Sequence, residues 1–111
     1  MRASESTQIY SRRINRVIDY IKDHLTEKLP IAKLARLAHF SPFHFHRIFR
    51  SAVGEPLHTF VRRMRLEKAV FRMMHGPKTT LTAIAIQSGF ASSSDFSRAF
   101  KQTYGFSPRS M

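Results

Sequence analysis

The sequence predicts an all-α chain in which two similar helical units are joined by a long helix. Three observations predict it. Apolar residues recur at three- and four-residue spacing, and no segment alternates strictly with period two. Residues 31–54 resemble residues 81–105 position by position. Gly and Pro fall between the periodic segments, where helices stop.

The elements follow in order. Ile14, Val17, Ile18, Ile21 and Leu25 share one face of an amphipathic helix over roughly residues 8–25. Leu29-Pro30 connects it to a short helix marked by Ile31, Leu34, Ala35 and Ala38. Ser41-Pro42 starts the next helix, because a Ser hydroxyl accepts from the free amides of the first turn and Pro suits the first helical position. Phe45, Ile48, Phe49 and Ala52 lie on one side of it, and Gly54-Glu55-Pro56 ends it. Leu57, Phe60, Val61, Met64, Leu66, Ala69, Val70 and Met73 mark a longer helix to about His75, stopped by Gly76-Pro77. Leu81, Ile84 and Ala85 give another short helix before Gly89. Ser92 opens the last one with Asp95 three residues on, an approximate capping box, and Phe96, Ala99, Phe100 and Tyr104 line its buried side up to Gly105. Ser107-Pro108 begins a further element. These signals place a first unit at residues 8–56, a linker helix at 57–75 and a second unit at 76–111.

Composition bounds the function. With 111 residues, 42% of them hydrophobic and ten of them Phe, the chain suits one domain or two very small ones with a real core. The lack of Cys excludes disulfides and Cys-based metal sites. No stretch approaches the roughly 18 to 20 apolar residues that cross a bilayer, and Met1 to Ser6 lacks a signal-peptide core. Nineteen Lys and Arg face seven Asp and Glu, a net charge of +12 that suits a polyanion: DNA, RNA or an acidic membrane surface.

The internal repeat narrows the choice. Ala35 matches Ala85 and Phe40 matches Phe90 at an offset of 50, while Ser41, Phe45, Arg47, Phe49 and Gly54 match Ser92, Phe96, Arg98, Phe100 and Gly105 at an offset of 51, with one extra residue near Ala91. Each copy reads as short helix, tight turn, capped helix, the plan of a helix-turn-helix whose second helix enters the major groove of DNA. Away from the Phe pairs, the first copy offers Phe43, His44, His46, Arg47 and Arg50, and the second offers Ser93, Ser94, Ser97, Arg98 and Lys101. Arg grips guanine O6 and N7 with two hydrogen bonds, and His and Ser make more adaptable contacts. The capped helix starts at Ser41 and Ser92 suit phosphate oxygens. A dimeric regulator sets two reading helices about 34 Å apart; here one chain carries both, with unlike faces, so an asymmetric site is expected.

The remaining candidates are weaker. Arg62, Arg63 and Arg65 read either as a solvated face or as phosphate contacts from the linker helix. His44 and His46 point roughly 200° apart on a helix, so with no Cys and no i,i+4 His pair no metal site is expected. No constellation supports catalysis or a cofactor. A non-specific nucleoid-type DNA-binding protein is the alternative reading, and a membrane-surface or RNA-binding protein the third.

The segment IAIQSGFASSSDFSRAFKQTYGFSP is similar to the signature A-x3-G-F-x-S-x3-F-x-R-x-F-K-x3-G-x-x-P of the AraC/XylS family of bacterial transcription regulators. Ala85, Gly89, Phe90, Ser92, Phe96, Arg98, Phe100, Lys101, Gly105 and Pro108 carry it, and the resemblance extends over roughly residues 10–109. It implies a homeodomain-like fold of about seven helices, with two reading helices in successive major-groove segments of double-stranded DNA and a rigid helix between them. It places Phe43, His46 and Arg47 near bases in one half-site and Ser93, Ser94 and Arg98 near bases in the other. Ser41, His44, Arg50, Arg62, Arg63, Ser92, Ser97 and Lys101 are then expected at phosphates. Contact with RNA polymerase and effector-sensing partner domains are common in the family, which points to a cytoplasmic, nucleoid-associated activator.

The chain departs from the family pattern in three places. His39 stands where the first turn usually has Gly, and a non-Gly residue at positive φ costs about 1 kcal/mol. Phe43 stands where relatives carry Trp, Tyr or a polar reader, and either contacts thymine methyls or packs. Only Arg109, Ser110 and Met111 follow Pro108, where the family has a last helix. The chain is therefore expected to be the front part of a longer protein with a C-terminal effector domain, an order similar to the right-origin-binding type; a freestanding regulator of the multiple-antibiotic-resistance type is the other arrangement.

Overall fold

The computed structural model describes residues 2–110, and the side chains of residues 7–109. The expected ends of the chain, Met1 to Ser6 and Met111, fall wholly or in their side chains outside that range. Six α-helices occur among the described residues: α1 (Arg2–Asp23), α2 (Ile31–Leu37), α3 (Pro42–Val53), α4 (Leu57–His75), α5 (Leu81–Gln87) and α6 (Ser93–Tyr104), followed by a single 3-10 turn at Pro108–Ser110. No strand occurs among them, and no helix is long and apolar enough to cross a membrane. The chain divides into two compact units. The first runs up to His24 and resumes over Lys28–Val61; the second holds Leu25–Glu27 and everything from Arg62 onward. The border therefore falls inside α4.

In the first unit α1 buries Ile14, Val17 and Ile21. It ends at Asp23, two residues short of Leu25. His24 Nδ1 donates to the Tyr20 carbonyl at 2.7 Å, and the two rings stack at 3.8 Å. Leu34, Ala35 and Ala38 of the α2 region, Phe45 and Phe49 of α3, and Leu57, Phe60 and Val61 of α4 complete the core. Phe49 meets Phe60 edge-on at 5.5 Å. Ala35 is fully buried, as a close approach of α2 and α3 requires.

The second unit repeats this plan. Leu66 and Ala69 of α4, Ile84 and Ala85 of α5, and Phe96, Ala99 and Phe100 of α6 form its core, with Val70, Met73, Leu81 and Phe90 packed against them. Tyr104 was expected on the buried side but is 42% exposed; it lies in the last turn, where its ring leans on Phe100 at 4.6 Å instead of entering the core. Ala52, in the corresponding last turn of α3, is likewise exposed.

Both short helices end in the same hydrogen-bonded turn. His39 N donates to Arg36 O at 3.0 Å and Phe40 N to Ala35 O at 3.0 Å; Gly89 N donates to Ile86 O at 3.1 Å and Phe90 N to Ala85 O at 2.9 Å. This pairing closes a helix through one left-handed residue. His39 sits at φ 59°, inside the small left-handed well that an L-residue can occupy, whereas Gly89 sits at φ 105°, outside it. A Cβ at Gly89 would lie 2.1 Å from the Leu25 carbonyl oxygen and 2.7 Å from Arg65 Nε. Those neighbours are fixed: Arg65 donates from Nε to Leu25 O and from Nη2 to Glu27 O, both at 2.9 Å. Partial burial lowers the Arg65 pKa from the ordinary guanidinium value. Arg65 is thus spent on the fold, while its neighbours Arg62 and Arg63 remain exposed.

Candidate nucleic-acid interface

Helix α3 is set by its two ends. Ser41 Oγ accepts from His44 N at 3.2 Å, Pro42 takes the first position, and Gly54 closes the far end at φ 89°. With Phe45 and Phe49 buried, the opposite face carries Phe43, His46, Arg47 and Arg50, spaced i, i+3, i+4, i+7, and all are exposed. Phe43 is 75% exposed, and the Arg47 guanidinium lies 5.9 Å from its ring centroid. That contact is a surface cation–π pair, which restrains a long side chain without removing it from solvent. His44 lies off this face. Its ring packs edge-on against Phe40 at 5.2 Å and faces Tyr10 at 6.3 Å, while Arg13 covers Phe40 from 5.2 Å.

Helix α6 is built alike. Ser92 Oγ accepts from Asp95 N at 3.1 Å, and Gly105 ends the helix at φ 86°. The Asp95 carboxylate turns to Arg98, with Oδ1 at 3.2 Å from Nη1, so only the first half of the expected capping box forms. Opposite the buried Phe96 and Phe100 stand Ser94, Ser97, Arg98 and Lys101, the same i, i+3, i+4, i+7 set. Ser94, Arg98 and Lys101 are exposed, whereas Ser93 and Ser97 are half-buried at the helix flank. Arg62 of α4 donates to Gln102 Oε1, beside Lys101. Arg63 pairs with Glu67 at 3.0 Å.

Phe43, His46, Arg47 and Arg50 therefore correspond to Ser94, Ser97, Arg98 and Lys101 at a uniform offset of 51. Of the other expected contacts, Ser41 and Ser92 hold their hydroxyls on backbone amides, so they act as caps. The sequence pattern alone does not single out Gln102, which holds Arg62, and shows Asp95 only as a cap. The i,i+3 spacing of Asp95 and Arg98 was the available signal.

Residues 34–111 match the AraC-type family described as "Helix-turn-helix domain". The chain belongs to this AraC-type family. Among its relatives, the probable transcriptional regulator LumQ of Photobacterium leiognathi is 36% identical over 98 residues, covering 86% of this chain but only 39% of LumQ. The HTH-type transcriptional activator AarP of Providencia stuartii is 30% identical over 102 residues, covering 92% of this chain and 75% of AarP. The crystal structure of the DNA-binding domain of AdpA in complex with a target DNA superposes with a TM-score of 0.79 at 26% identity, covering 87% of this chain and 86% of that one. The AraC-type chain described here thus spans well under half of LumQ.

Proposed function

We propose that this chain is the sequence-specific double-stranded-DNA-binding module of a transcription regulator, with α3 and α6 each reading a separate major-groove segment. The carrying observation is the duplicated outward set: two capped helices, each anchored by a Phe pair and each presenting four side chains at i, i+3, i+4, i+7 with a cation at the last two places. An α-helix with side chains is about 10–12 Å across, which fits a major groove about 12 Å wide. Phe43, His46, Arg47, Ser93, Ser94 and Arg98 are assigned to bases; Arg50, Lys101, Ser97, His44, Arg62 and Arg63 are assigned to phosphates, and the capped starts at Ser41 and Ser92 present backbone amides. Because the two faces differ, the preferred site is asymmetric. Similarity to AarP supports an activating role, and a module that acts on a bacterial chromosome works in the cytoplasm.

The test is selection from a duplex library with about 20 randomised base pairs, where two unlike motifs about one helical turn apart are expected. Arg98→Ala should lose about 1 to 3 kcal/mol on the selected duplex and relax the preference in one motif only. Tight, salt-sensitive binding without any enriched motif would refute sequence-specific reading and leave a non-specific binder.

A further inference from the structure

Asp95 is the single carboxylate on either outward-facing helix, in a chain with seven acidic residues against nineteen basic ones. A negative charge there opposes any approach to a polyanion, so its presence needs a compensating use. Its geometry supplies one. The backbone of Asp95 is fixed by its N–H bond to Ser92 Oγ, and its carboxylate is held 3.2 Å from Arg98 Nη1, with both side chains partly open to solvent. The corresponding place in α3 holds His44, which turns toward Tyr10 and Phe40, and Arg47 leans on Phe43 instead.

We propose that Asp95 is a specificity-determining positioning residue that acts through Arg98; the inference rests on the DNA-binding reading above. A free Arg has five donors and a long flexible stem, so on DNA it readily settles on whichever phosphate is near. Asp95 takes one side of the guanidinium and leaves the other donors free for two hydrogen bonds to guanine. It also repels phosphate oxygens from the same spot. The result is lower affinity for every sequence and sharper choice at one base pair.

The test repeats the library selection and measures affinity for the selected and a random duplex with the wild-type chain, Asp95→Asn, Arg98→Ala and the double variant. Asp95→Asn is expected to bind random duplex about two- to fivefold more tightly, since one charge opposing counterion release is gone. It should lose about fivefold or more of the preference at the base pair facing Arg98, the lower end of what one bidentate Arg–guanine pair supplies. In the Arg98→Ala background the same substitution should leave base preference unchanged. If Asp95 served only the helix start, Asp95→Asn would weaken both duplexes in step and keep the motif, and this result overturns the inference. A wild-type chain that selects no motif would instead remove the DNA-reading proposal itself. Should Asp95→Asn melt below the assay temperature, Asp95→Ser, which keeps a polar residue in the first turn, is read by the same criteria.

Discussion

Replacing Gly89 by Ala separates two reasons for a glycine in the turn of the second unit. The first is conformational: an L-residue in the left-handed region costs about 1–2 kcal/mol. The second is steric, because the new methyl would sit 2.1 Å from the Leu25 carbonyl oxygen and 2.7 Å from Arg65 Nε. Neither neighbour is a loose side-chain end; one is backbone and the other donates to it at 2.9 Å. Relief requires Leu25–Glu27 to move off and the Arg65 bond to break, and a hydrogen bond to a charged group is worth about 1.5–3 kcal/mol. The two contributions come to about 2.5–5 kcal/mol, or a fall in melting temperature of about 10 °C or more for a domain of this size. Gly105→Ala is the control. Its φ of 86° carries the conformational cost, but a methyl there meets nothing within 4 Å, so about 1–2 kcal/mol is expected. Thermal melting followed by circular dichroism compares them. If Gly89→Ala melts with Gly105→Ala, the contact with Leu25 and Arg65 is not what demands glycine, and the steric reasoning is wrong.

Two further outcomes are expected. Ser88 is fully buried, and its Oγ has no hydrogen-bond partner among the described residues, while the first unit has Ala38 at the matching position; Ser88→Ala should therefore raise stability by about 1 kcal/mol in the same melting assay, and a loss would show that the hydroxyl is satisfied. Arg62→Ala should weaken binding to selected and random duplex alike and reduce the slope of log affinity against log salt by about 0.9, whereas a loss confined to the selected duplex would make Arg62 a base reader.

Much of the fold was legible because the chain states it twice. Ala35 and Ala85, Phe45 and Phe96, Phe49 and Phe100 fell into register in the sequence, and all six are buried. The cap at Ser41 and the one at Ser92 followed from the same alignment. What escaped depends on contacts that periodicity does not encode. Leu25 fits the apolar stripe of α1, yet it lies beyond the helix and belongs to the second unit, where its carbonyl accepts from Arg65 Nε. Arg65 looked like part of a basic run, but its partners, the carbonyls of Leu25 and Glu27, lie 40 and 38 residues away in sequence. Tyr104 continues the Phe96–Phe100 stripe on paper and is exposed, since a helix end overhangs its core.

The site was legible to a different depth. The two copies share the buried residues at 35/85, 45/96 and 49/100 and are cationic at the outward places 47/98 and 50/101. They disagree at 43/94 and 46/97, where Phe and His face Ser and Ser, and at 44/95, where His faces Asp. Divergence at these outward positions is hard to explain as a packing need, because the same Phe pair is buried beneath each helix. A non-specific binder requires only the shared cations, which serve any phosphate. The unlike pairs add nothing to that task, and Asp95 works against it. Under the proposed function they are what make two copies of one scaffold choose two different stretches of DNA, and for this reason an asymmetric site, rather than tight binding as such, is the property on which the proposal stands.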